Sequence, residues 1–233
     1  RDTAMHIYPS QCPPVYALPD RPEKLHLTSA PVAFLNTDET LDQQAAAAVK
    51  QQQYPHALGL LNQLIERYPQ QAVYYSNRGL VHLRLGQPCL ALIDCDRSVA
   101  LDPGLDQVYN NRAMCHAALG NLSAALDDYD QAIDLNPFNN RARINLGTAL
   151  RRMGDFDLAL IHFDEALMFH QLPEFVYAER GRTYHRRGDW NCAIADYRRA
   201  LAAAQMSADL QPLVERVRRW AAELLPQDQV EML

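Results

Sequence analysis

Apolar residues recur along most of this chain at helical spacing, and the pattern itself repeats every 34 residues. Set in rows of 34 from Asp38, the sequence forms five gapless units: 38–71, 72–105, 106–139, 140–173 and 174–207. The twentieth place of each row is alanine (Ala57, Ala91, Ala125, Ala159, Ala193), followed by Leu58, Leu92, Leu126, Leu160 and Ile194. The eighth place is also small, reading Ala45, Gly79, Ala113, Gly147 and Gly181. Small residues at both places let two antiparallel helices approach closely, because larger side chains would hold the backbones apart. Gly86, Gly120, Gly154 and Gly188 mark where the first helix of a row stops, since glycine accepts the left-handed conformation of a helix end. Gln52 holds that place in the first row. Two places on stand the bulky Tyr54, Leu122, Phe156 and Trp190, with Pro88 in the second row, where a helix start tolerates proline. Pro69, Pro103 and Pro137 end the second helix of the first three rows. Gln171 and Gln205 replace them in the last two, so looser connections are expected there.

Beyond the rows, Leu210, Leu213, Val214, Val217, Trp220, Ala221 and Leu224 predict one more amphipathic helix over 208–225. Its charged outer face suits a cap on the open end of a stack of repeats. Residues 226–233 read as a short tail. Residues 1–37 carry Pro9, Pro13, Pro14, Pro19, Pro22 and Pro31 without a glycine, which predicts an extended arm. That arm is either a mobile leader or docks on the stack or on a partner chain through Val15, Tyr16 and Phe34.

The row Asn145-Leu146-Gly147, Leu150, Gly154, Ala159, Phe163, Ala166 resembles the tetratricopeptide signature. So does Tyr109, Ala113, Gly120, Ala125, Tyr129, Ala132, Pro137. The resemblance covers residues 38–207, and the NRG and DYDQAIDLNP phrases look like bacterial examples of the family. It implies an all-α fold: a right-handed α-solenoid of five helix-turn-helix units with a C-terminal capping helix and an extended N-terminal arm.

The rows also correlate with one another. Arg78, Arg112 and Arg180 share one place while Asp94, Asp128 and Asp196 share another, and in the fourth row Leu146 and His162 replace both together. An Arg–Asp pair between the two helices of a unit explains this, structural in role and worth little if exposed.

Composition narrows the function classes. The net charge of −6 argues against nucleic acid as the main partner, because phosphate binding normally leaves a basic excess. Five scattered cysteines without a CxxC pair argue against a disulfide framework and for a reducing, cytoplasmic setting. No apolar run approaches a membrane span. The chain starts at Arg1, so an upstream targeting or anchor segment stays open. No catalytic triad, metal-ligand spacing or phosphate-binding glycine loop is visible, and His82 and His116 occupy places where an aromatic packs in this family. A non-enzyme without cofactor or metal is expected.

By resemblance, the first helix of each repeat lines a concave groove. Asn77, Asn111 and Asn145 form a ladder there that could bond the backbone of an extended peptide. Arg141, Arg152, Arg182 and Arg186 make the far half basic, which implies an acidic segment or a C-terminal carboxylate as ligand. The carboxylate clamp by which some relatives bind chaperone C-termini is not supported. Asn111 and Arg141 fit it, whereas Ser76, Leu80 and Asn145 depart from it. The expected role is an adaptor, scaffold or assembly factor for a larger complex. Two alternatives stand beside it: a permanent structural subunit with an idle groove, and an RNA-binding helical repeat.

Overall fold

The computed structural model describes residues 38–204 and 208–231. The expectations for the N-terminal arm, and for a loose connection at Gln205, lie outside these residues. First helices are α1 (Asp38–Lys50), α3 (Ala72–Arg84), α5 (Asp106–Ala118), α7 (Asn140–Met153) and α9 (Pro173–Arg187). Each is followed by its second helix: α2 (Tyr54–Arg67), α4 (Pro88–Leu101), α6 (Leu122–Leu135), α8 (Phe156–Met168) and α10 (Trp190–Ala204). A short 3₁₀ turn at Ala208–Leu210 leads into α11 (Gln211–Ala221), and α12 (Gln227–Glu231) follows. The fold is an all-α solenoid.

The small places do what their size suggests. A Cβ on Gly79 would stand 3.0 Å from the carbonyl oxygen of Ala91, and one on Gly147 would stand 3.2 Å from that of Ala159. The helix-ending glycines all have positive φ, from +72° at Gly86 to +98° at Gly188. Gln52 reaches φ 58° at the equivalent place, a conformation strained for a residue with a Cβ. Where Gln171 stands for proline, the link to α9 contains His170 at φ 51° and Leu172 at φ 55°, and α9 starts at Pro173, one residue ahead of its row.

Buried residues run through the stack between the layers. Leu61, Leu64 and Tyr74 fill the first units, Ile144, Phe163 and Val176 the middle, and Phe175, Tyr197 and Leu201 the last. Burying each large side chain contributes roughly 1.5–3 kcal/mol. Leu213, Val217 and Ala221 of α11 close the final cluster, so this helix covers the open end. The helix stops at Ala221 rather than 225. The stretch read as a tail holds α12, with Val230 buried in the same cluster.

The Arg–Asp pairs form. Arg78 meets Asp94 at 2.8 and 2.7 Å, Arg112 meets Asp128 at 2.8 and 2.6 Å, and Arg180 meets Asp196 at 2.7 and 2.9 Å, each through two bonds. All three carboxylates are buried, so removing one arginine would leave an uncompensated buried charge. Among the described cysteines, Cys95, Cys115 and Cys192 are free thiols.

Candidate functional site

First helices pack directly on one another (α3 on α5, α5 on α7, α7 on α9), whereas consecutive second helices barely meet. The stack therefore bends with its first helices inside. On this inner face opens a cleft of about 540 Å³, walled by α3, α5 and α7 and by the loops that enter α7 and α9.

The cleft is built mostly from carboxamides. Asn136 and Asn139 both donate to Asp106 Oδ2, at 3.0 and 2.8 Å. Asn139 also caps α7, its side-chain oxygen accepting from the Ala142 N–H at 3.0 Å. Asn140 Nδ2 donates to the Gln171 and Ala166 carbonyls at 2.8 and 3.2 Å, which ties α7 to the end of α8. Phe138 stands exposed at the rim, edge-on to Phe169 at 5.8 Å.

The asparagine ladder exists, with much of its bonding capacity turned inward. Asn111 Nδ2 donates to Ser76 Oγ at 3.1 Å and Asn145 Nδ2 to Asn110 Oδ1 at 3.0 Å, each reaching back to the preceding first helix. Asn77 has the same place in α3, yet its Nδ2 is buried without a hydrogen-bond partner. Asn77, Asn111 and Arg141 line the cleft together; Asn145, Arg152, Arg182 and Arg186 do not.

The basic residues are largely engaged. Arg152 donates to the Ala117 carbonyl at 2.9 Å. Its neighbour Arg151 reaches the buried Glu179 carboxylate at 2.8 Å. Arg182 pairs with Glu223 at 2.9 Å and lies over the Trp220 ring, joining α9 to the cap. Beside it His185 meets the Tyr197 hydroxyl at 3.1 Å. Burial, with Arg182 adding to it, pushes His185 below the usual histidine range, and burial raises the Tyr197 phenol. Arg186 stays exposed in the last turn of α9.

Sequence reasoning missed Asn110, Asn139, Asn140 and Gln171. The Asn110-Asn111 pair and the run Asn136-Pro137-Phe138-Asn139-Asn140 were the available signal. Among the described residues no cluster of His, Cys, Asp or Glu is arranged to hold a metal ion, and no helix is long and apolar enough to cross a membrane.

Two family models, both described as tetratricopeptide repeat, match residues 43–106 and 107–139. A thermophilic tetratricopeptide protein of Thermus thermophilus is similar in structure, with TM-score 0.71 and 24% identity over 81% of this chain and 100% of that one. The MamA protein is also similar, with TM-score 0.57 and 19% identity over 75% of this chain and 96% of that one. A further match is MamA (41-end) from Desulfovibrio magneticus RS-1, with TM-score 0.51 and 22% identity over 57% and 76%. At such identities these likenesses speak for the fold.

Proposed function

Since this chain is a tetratricopeptide-repeat protein, we propose that its protein-interaction role is that of a non-catalytic adaptor, scaffold or assembly factor. It holds an extended segment of a partner along its inner face. The observation that carries this reading is the cleft across α3, α5 and α7, a concave site walled by polar groups that can bond a polypeptide. A preference for acidic residues rests on Arg186, which is exposed in the last turn of α9, whereas Arg152 and Arg182 hold internal partners.

The second reading, a subunit held through its helix faces, is favoured by a different feature. Leu90 and Ile93 on α4, and Leu158 and Ile161 on α8, are exposed in matching pairs on second helices. A photo-crosslinking residue placed at Gln107 in the cleft or at Ile93 on α4 separates the two. The groove reading expects one partner crosslinked from Gln107 in native lysate and not from Ile93. Crosslinking from Ile93 alone would sink it in favour of the subunit reading.

A further inference from the structure

Single exposed leucines or isoleucines on a helix need no explanation, but four on this molecule fall in a pattern. Leu90 and Ile93 on α4, and Leu158 and Ile161 on α8, hold the nineteenth and twenty-second places of their rows and are between 44% and 51% exposed. Packing of the repeat does not ask for large apolar side chains there. The same two places are His56 and Gly59 in α2, and Cys192 and Ala195 in α10. In α6, which comes between α4 and α8 in the stack, they are Ala124 and Asp127.

The helix between the two apolar pairs also differs from its neighbours in charge. α6 carries four aspartates and no lysine or arginine. Asp128 is taken by Arg112, while Asp127, Asp130 and Asp134 are exposed at intervals of three and four residues, which sets them on one face. Among the described residues no lysine or arginine pairs with any of these three. Acidic residues of α4 and α8 do find internal cations: Asp96 meets Arg112, Asp157 meets Arg187, Asp164 meets Arg180 and Glu165 meets Arg143. Asp130 shows the consequence. Burial raises its carboxyl above the usual range, His162 pulls it back in part, and Asp134 and Asp127 push it up again. Like charges at this spacing destabilise a helix. A cation from outside turns that repulsion into attraction.

We propose that the outer face of α4, α6 and α8 is a second docking surface, which takes a basic segment of a partner protein with apolar residues on both sides of its charges. Lysine or arginine of that segment pairs with Asp127, Asp130 and Asp134. Its flanking apolar residues cover Leu90 and Ile93 on one side and Leu158 and Ile161 on the other. The inference goes beyond the inner-face reading and does not rest on it; it shares with the subunit reading only the apolar pairs. With the cleft on the inner face, the chain then has the two surfaces an adaptor requires.

The probe is a phage library of random sixteen-residue peptides selected on the full chain. Selected peptides are then measured on Asp127→Lys/Asp134→Lys, on Ile93→Ser/Ile161→Ser, and on Gln107→Trp, which crowds the cleft. All five residues are exposed, so each melting temperature should hold. The expected result is a set of peptides in which lysine or arginine is flanked by apolar residues. The aspartate and isoleucine variants should each bind them about tenfold more weakly, and Gln107→Trp should bind them as the wild type does. Asp127→Asn/Asp134→Asn, which only neutralises, should lose a smaller share in the same direction. Basic peptides lost on Gln107→Trp and kept on the aspartate variant would overturn the outer-face inference and leave the inner-face reading standing. Loss on the aspartate variant without loss on the isoleucine variant would show general charge attraction in place of a docking surface. Absence of basic peptides among the binders would overturn the inference whatever the cleft selects.

Discussion

Gly147 and Ala113 occupy the same place in successive repeats, yet the ring opposite each decides what the place tolerates. A Cβ on Gly147 would come within 2.9 Å of both Cε1 and Cζ of Phe163, whose ring is fully buried and has nowhere to swing. In the preceding repeat Tyr129 packs with alanine already present at the equivalent place. Gly147→Ala gains up to about 1 kcal/mol of helix propensity and loses about 1–3 kcal/mol to overpacking. The expected net is a loss of about 1 kcal/mol, read from urea denaturation; a gain would mean that Phe163 shifts freely. The sequence makes the smallness of the place legible. It does not reveal the choice between glycine and alanine, which depends on how a ring seats in three dimensions. The same limit applied to the binding residues. Asn77, Asn111 and Asn145 were legible as a ladder, but that Asn111 and Asn145 spend amide N–H groups on the preceding first helix became visible only with the helices packed. The signs of Arg152 and Arg182 were legible too, and their partners, a carbonyl and a cap carboxylate, were not.

Between elements, each arginine of the Arg–Asp set is a three-way brace. Arg78 sits on α3, grips Asp94 of α4 and reaches Asn62 of α2 at 2.9 Å. Arg112 on α5 likewise joins Asp128 of α6 to Asp96 of α4 at 3.2 Å. Arg180 on α9 joins Asp196 of α10 to Asp164 of α8. The correlated rows gave the pair within a unit, whereas the third contact depends on the turn from one unit to the next, which a period does not state. In the fourth unit Leu146 and His162 stand instead, and Asp130 occupies the place where the brace would reach. Burial raises the Asp130 carboxyl above its usual range, and His162 pulls it back only in part. Leu146→Arg alone should destabilise by burying a cation, and His162→Asp alone by adding a like charge near Asp130. Together they should recover, with a coupling of about 2 kcal/mol in a double-mutant cycle followed by thermal denaturation. Additive single effects would show that the brace belongs to its present neighbours rather than to the repeat geometry.

Across the whole molecule, contacts run between neighbouring units, so damage should stay near where it is made. The end of the stack tests this. Val217 of α11 is fully buried against the last repeat, while Arg182–Glu223 at 2.9 Å and Arg216–Glu179 at 3.5 Å tie the cap to α9 from the polar side. Val217→Asp places a carboxylate in that apolar seat, a change on the order of several kcal/mol locally. In a compact globule such a change weakens every element at once. In a stack of near-independent units it should strip protection from α11, then α10 and α9, and leave α3 to α6 as they were. Hydrogen exchange read by mass spectrometry resolves the two patterns element by element. A graded loss from the C-terminal end means that the α3–α5 wall of the cleft holds its shape without an intact cap. Uniform loss of protection would make the chain a single cooperative unit, in which the cap holds the cleft in shape from four helices away.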